Sequence, residues 1–351
     1  MAGATQMRRE IEEIPAVIER LVAESSSELA AAAEVIGRAN PGWIMIAGRG
    51  TSDHAGVYAQ YLFETHLGLP TGLVKPSVTT IYGTDLDWSG GLVVAISQSG
   101  RSPDVVEVVE AARRSGALTL AITNEADSPL AAAAELNLAC RAGHELAVPA
   151  TKTYVAELAA LAALVGALRP SSGIGSALAS IPDAVRGTLA LTDAWLVGPA
   201  ATVVTALAAG DRALLVSRGY NLATAFELAL KLKETCGLFA EAYSTADFAH
   251  GPLVLSGAGV PTLAIRPGGE MGELVDATVT AVADRGGHTT VIGGPEVAGR
   301  DGALALPYAV PESLSPLLLI VPGQLLVEAT ARRRGIDPDS PAGLLKVTLT
   351  H

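Results

Sequence analysis

The feature that most constrains this chain is a strand–turn–helix alternation that occurs twice. Apolar runs of strand length lie at 43–47, 92–96, 118–122, 213–216, 262–265 and 289–292, with patterns of helical length between them. Several of the runs close on Gly or Ser. Strand, glycine-rich turn, helix and strand again is the pattern of a parallel sheet with helical crossovers. WIMIAGRG at 43–50 has a counterpart in ALLVSRG at 213–219, and LVVAISQSG, ending at Gly100, has one in TLAIRPGG, ending at Gly269. The turns at Gly116 and Gly286 make a third pair, and the matched glycines are 169, 169 and 170 residues apart. So constant an offset points to one α/β domain duplicated in tandem. Unrelated βαβ units that share a spacing by coincidence are the alternative.

The small-residue run after Arg169, with Pro170-Ser171-Ser172-Gly173, reads as the linker between the halves, and a helix over 182–197 opens the second. The expected division is a helical segment at 1–24, a first domain at 25–168, a linker at 169–181 and a second domain with a C-terminal tail at 182–351. Of the 351 residues 49% are hydrophobic and 17% charged, which fills large cores and argues against disorder. The net charge of −12 argues against a nucleic-acid binder, which carries a basic face. It leaves room for a small phosphate-bearing ligand, because backbone dipoles bind phosphate on acidic proteins too.

Mean hydropathy is +0.38. The most apolar stretches, 155–168 and 314–329, are interrupted by Glu157 and by Pro316 and Pro322. Neither is expected to span a membrane, which takes about 20 apolar residues. The mixed charges of 1–20 do not form a signal peptide. Cys140 and Cys236 make neither a disulfide framework nor a metal pattern, and read as two buried thiols of a cytoplasmic protein.

Five places can carry chemistry. Gly48-Arg49-Gly50-Thr51-Ser52 stands between a strand and a helix, where glycines admit a ligand to the backbone and hydroxyls cap the helix. A plain tight turn looks the same. Ser97-Gln98-Ser99-Gly100-Arg101-Ser102 follows the strand at 92–96, at the strand end where open α/β sheets bind ligands. Pro103 suits a first helical turn and places Ser102 near the N-cap. Neutral donors and backbone N–H groups make a phosphate cradle without a lysine, and GxxxxGK[ST] is absent. Glu227, Lys231 and Glu234 share one helix face at i, i+4 and i+7. Spacing alone leaves two readings, a solvated Glu–Lys pair or a charged stripe on an otherwise apolar helix facing a cleft or interface. His250, before Gly251-Pro252 and after Glu241, Ser244 and Asp247, is structural or a proton shuttle. Lys346, five residues from the end, is solvated unless the tail folds back over a site.

Taken together these stretches resemble the tandem sugar-isomerase (SIS) domain proteins. That family includes the isomerase half of glutamine–fructose-6-phosphate aminotransferase and stand-alone glucosamine-6-phosphate deaminases. The matching segments are GRGTSDHAG at 48–56, ISQSGRSPD at 96–104, ELAVPATKTY at 145–154, ELALKLKETCGLFAEAYSTADFAHGPL at 227–253 and GIDPDSPAGLLKVTLTH at 335–351. The resemblance implies an α/β fold of two SIS domains, each a parallel sheet flanked by helices in a flavodoxin-like or Rossmann-like three-layer sandwich.

It also implies roles. Gly50, Thr51, Ser52, Ser97, Gln98, Ser99 and Ser102 match positions that hold the sugar phosphate, and Val148 matches a backbone contact to the sugar. Glu234 matches the base that moves a proton between C1 and C2, with Lys231 and Glu227 as its neighbours. His250 matches a ring-opening residue supplied by the other subunit of a homodimer. Lys346 matches a tail lysine that meets the open-chain carbonyl. The chain opens MAGATQMRRE, without the Cys-led glutaminase segment, so glutamine use is not expected. Ala342-Gly343 stand where the family tail has Arg-Asn, and Ala150 replaces a Ser of the synthases. The implied reaction converts glucosamine 6-phosphate to fructose 6-phosphate and ammonia, with no cofactor, metal, nucleic acid or membrane. The alternatives are a deglycase of a phosphorylated sugar–amino acid adduct, a plain phosphosugar isomerase, and a sugar-phosphate sensor without turnover.

Overall fold

The computed structural model describes residues 4–346. Positions 1–3 of the expected N-terminal segment and 347–351 of the tail motif lie outside the described residues.

Among the described residues ten strands build two sheets. β1 (Trp43–Ala47), β2 (Thr71–Leu73), β3 (Gly91–Ser97), β4 (Leu118–Thr123) and β5 (Leu136–Ala139) form the first, in the order β2-β1-β3-β4-β5. β6 (Arg212–Ser217), β7 (Phe239–Ser244), β8 (Thr262–Arg266), β9 (Thr289–Gly293) and β10 (Leu304–Ala305) form the second, in the order β7-β6-β8-β9-β10. Every neighbouring pair is parallel. The two orders are the same, and Trp43 and Arg212, which open β1 and β6, stand 169 residues apart. The duplication read from the glycine spacing is therefore a duplication of topology.

The chain divides into two compact units, one sheet in each. Of the described residues, the first comprises Ala16–Glu145, Lys152–Ser180, Leu345 and Lys346; the second comprises Ala4–Pro15, Leu146–Thr151 and Ile181–Leu344. The 3-10 turn Pro170–Ser172 and the short helix Ile174–Leu178 belong to the first unit, and the helix Ile181–Val197 opens the long segment of the second.

In the first unit β3 is buried along its whole length. Val93 and Ala95 pack with Val105, Val108 and Val109 of the helix Pro103–Arg114. The helix Lys152–Leu168 is buried from Lys152 through Val165, which explains its lack of a polar face. In the second unit Leu214, Val216 and Ala264 pack against Val275 and Val282 of the helix Gly269–Ala283.

Pro316 and Pro322 do not interrupt the second apolar stretch, because the helix Ser315–Arg333 runs through both. Pro316 sits in the first turn, where no intrahelical N–H partner is lost. The segment Glu312–Arg333 is long and apolar enough to cross a membrane, but 94% of its apolar window is buried within the fold.

Candidate functional site

The strand order positions the candidate loops. In a sheet ordered 2-1-3-4-5 the direction of winding reverses between strands 1 and 3, and the crevice beyond their carboxyl ends is where ligands bind. In the first unit that crevice is bounded by the turn after β1, Gly48–Ser52, and the turn after β3, Gln98–Ser102. The first turn has no room for a side chain at Gly48, where a Cβ would lie 2.8 Å from the Ser52 carbonyl oxygen. Thr51 opens the helix Thr51–Leu67 directly after Gly50. In the second turn Gly100 has φ +60°, and a Cβ there would lie 2.2 Å from Ser128 Oγ.

The hydroxyls around this crevice are already oriented. Ser97, at the end of β3, accepts from the Gly100 N–H at 3.1 Å, and Ser99 Oγ accepts from the Arg101 N–H at 3.4 Å. The Gln98 carbonyl accepts from the Asn124 N–H at 3.2 Å. Ser102 is the N-cap of the helix Pro103–Arg114, with extended backbone and no capping bond from its own side chain. Ser52 Oγ donates to buried Glu157 at 2.8 Å. Arg49 of the first turn donates through Nε to Asp104 at the start of the second turn's helix at 2.7 Å, and the Asp104 side chain is fully buried. An ion pair therefore ties the two walls of the crevice together.

In the second unit the corresponding turn packs against side chains. At Gly219, after β6, a Cβ would lie 3.0 Å from Glu312 Oε1 and 3.3 Å from Met271 Cγ. Burial raises the Glu312 carboxyl above its ordinary range. A thioether and an acid thus stand beside this turn, where the first unit's crevice has hydroxyls.

The second unit carries the charged stripe. On the helix Leu222–Cys236, Glu227, Lys231 and Glu234 do share a face. Lys231 Nζ stands 3.4 Å from Glu227 Oε1 and 2.6 Å from Glu234 Oε2. The Glu227 and Lys231 side chains are 0% and 1% exposed, whereas Glu234 is 26% exposed. The solvated-pair reading fails: this is a buried carboxylate–ammonium–carboxylate array with one carboxylate reaching the surface. Beside Glu234 lies a cavity of about 480 Å³ lined by Lys233, Thr235, Ile336, Pro341, Ala342 and Leu344.

Three further residues sit elsewhere. Val148 donates its N–H to the Asp339 carbonyl at 2.9 Å within the second unit. His250 is exposed at the end of the short helix Thr245–Ala249, its N–H donating to the Asp247 carbonyl at 3.1 Å. In the first unit Lys346 is folded back rather than solvated, with Nζ 2.6 Å from Glu145 Oε2. Arg49, Asp104, Glu145 and Glu157 have no role in the sequence reading, although all but Glu157 lie inside the matched motifs. Glu157 had one visible signal, a single acid in an apolar helix. Cys140 and Cys236 are buried and free, and burial pushes the Cys236 thiol up to about 12. No group of three His, Cys, Asp or Glu side chains placed to hold a metal occurs among the described residues.

The chain belongs to the SIS domain family, whose profile matches residues 39–167 and 206–295. It is 34% identical over 352 residues to the glutamine–fructose-6-phosphate aminotransferase (isomerizing) of Methanothermobacter thermautotrophicus, covering 97% of this chain and 56% of that protein. The chain thus spans about half the length of the curated relatives it matches. A crystal structure of a candidate phosphosugar isomerase from Silicibacter pomeroyi DSS-3 is similar with a TM-score of 0.84 and 37% identity, over 96% of this chain and 100% of that one. The C-terminal domain of glucosamine-fructose-6-phosphate aminotransferase from Francisella tularensis is similar with a TM-score of 0.86 and 26% identity, over 97% and 99%.

Proposed function

We propose that this chain is a phosphosugar isomerase that acts on an amino sugar phosphate and releases ammonia without glutamine. The observation that carries the reading is the array on the helix Leu222–Cys236. Lys231 holds Glu234 at 2.6 Å and leaves it 26% exposed, which suits a carboxylate that must be fixed yet meet a substrate. The relatives named above support the substrate class.

In this reading the phosphate sits in the crevice of the first unit, held by Ser97, Gln98, Ser99 and Ser102 with Gly50 and Thr51, while Ser52, its hydroxyl donated to Glu157, supports the turn from beneath. Val148, its N–H taken by Asp339, offers the sugar its carbonyl. His250 of a second subunit opens the ring of glucosamine 6-phosphate, so the working form is a homodimer. Glu234 then takes the proton from C2 and returns it to C1, and the C2 amine becomes an imine. Water hydrolyses the imine to the ketone of fructose 6-phosphate and frees ammonia. Lys346 stabilises charge at the open-chain carbonyl oxygen. Glu227 and Lys231 keep Glu234 in place.

The cavity beside Glu234 favours one second reading, in which the substrate nitrogen bears a substituent and an amine leaves instead of ammonia. Both readings are tested by coupled assays on a panel of 6-phosphorylated sugars, plain, amino and N-substituted. Ammonia release from glucosamine 6-phosphate without glutamine supports the first; amine release from substituted sugars alone supports the second. Aldose–ketose interconversion without nitrogen loss, or no turnover, contradicts both.

A further inference from the structure

Glu145 lies in the irregular segment that precedes the helix Lys152–Leu168, and its side chain is fully buried. Its Oε1 accepts the Thr153 N–H at 3.1 Å, and its Oε2 accepts the Thr153 hydroxyl at 2.6 Å and Lys346 Nζ at 2.6 Å. The Thr153 N–H is one of the first four of its helix, which have no partner within the helix. A carboxylate there is favoured by the helix dipole as well. The helix therefore fixes this carboxylate whether or not the tail is present. The lysine comes from 201 residues further along the chain and keeps 23% of its side chain exposed. A desolvated carboxylate attracts a cation far more strongly than a surface one does.

We propose that Glu145 is a positioning residue for Lys346, a preformed acceptor that clasps the tail and fixes where the lysine ammonium is presented. The part played by that ammonium in turnover rests on the function proposed above; the clasp itself does not. Glu145 acts through Lys346 and needs no contact with substrate.

The test uses the full chain in two arms. Trypsin cleaves after lysine only when the side chain enters the protease, so a clasped Lys346 resists it, and cleavage there removes the last five residues by mass. Glu145→Gln keeps an oxygen for Thr153 but removes the charge; cleavage after Lys346 should speed up at least tenfold. Thr153→Val, which spares the ion pair, should stay within threefold of the wild type. In the kinetic arm Glu145→Gln should lower kcat about tenfold with KM for the sugar phosphate unchanged. That loss should vanish in a Lys346→Met background, where a purely structural role would keep it. Cleavage at the wild-type rate, or an equal kcat loss in both backgrounds, overturns the proposal. If Glu145→Gln does not fold, Lys346→Met leaves the helix intact and should raise amide exchange at 344–346 at least tenfold; unchanged exchange overturns the clasp. A wild-type chain that turns over no phosphosugar defeats the proposed function, while the trypsin arm still decides the clasp.

Discussion

Ser52 donates its hydroxyl hydrogen to the Glu157 carboxylate at 2.8 Å, and both residues are buried beneath the crevice of the first unit. The hydrogen that a phosphate would need from Ser52 is thus committed inward. Ser99, by contrast, is half-buried, and its oxygen accepts only a long bond from the Arg101 N–H.

Two serines of one crevice should therefore respond differently to alanine. Ser52→Ala deprives a buried carboxylate of a donor and should lower stability by about 1–3 kcal/mol. Ser99→Ala should leave the unfolding midpoint within error and weaken sugar-phosphate binding by about 1.5–3 kcal/mol, the worth of one bond to a charged group. Urea titrations and calorimetric binding of glucose 6-phosphate separate the two. Equal loss of stability in both variants would remove the distinction.

Lys231 neutralises two carboxylates from a site that is 1% exposed. Lys231→Met removes the buried ammonium shared by Glu227 and Glu234, and breaking a buried pair costs about 3–5 kcal/mol. A surface pair at helical spacing would cost about 0.2–0.5 kcal/mol. Denaturant midpoints of purified Lys231→Met decide between these figures.

The strand reading divides along a physical line. All six strands legible in the sequence are the inner three of each sheet, β1, β3, β4, β6, β8 and β9. The four it passed over, β2, β5, β7 and β10, are the edges. Inner strands of a parallel sheet are covered on both faces and read as unbroken apolar runs such as GLVVAIS. Edge strands are shorter or half-exposed: β7 alternates in burial along FAEAYS, and β10 has two residues. The candidate site was legible for a similar reason. Loops at the strand ends and the Glu227–Lys231–Glu234 spacing are local patterns. Glu145 and Glu157 are not, because their partners Lys346 and Ser52 lie 201 and 105 residues away.

Burial raises the Glu312 carboxyl above its ordinary range. A carboxyl whose folded-state pKa lies above the unfolded one adds stability below the unfolded value and loses it as pH rises through the folded value. Glu312→Gln should therefore be more stable than the wild type at pH 7, and the advantage should fade as pH falls toward 4. Urea midpoints at the two pH values report it; a variant less stable at pH 7 would count against a desolvated acid.

Both thiols should resist alkylation. The Cys236 thiol is pushed up to about 12 by burial, and burial with the Glu157 charge nearby raises the Cys140 thiol well above its ordinary value. Iodoacetamide at pH 8 should add no mass to the native chain and two adducts in guanidinium. Fast labelling of the folded protein would place a thiol at the surface.

The central claim is that Glu234 carries the proton. Glu234→Gln keeps the shape and the oxygen facing Lys231 but removes the basic carboxylate. Positioned general bases are worth about 10²–10⁴ in rate. The most direct measurement is exchange of the substrate C2 hydrogen with deuterated solvent, followed by NMR on the folded variant saturated with glucosamine 6-phosphate. The account predicts exchange slowed by about 10²–10⁴ relative to the wild type, with sugar-phosphate binding retained. Exchange at the wild-type rate would contradict it.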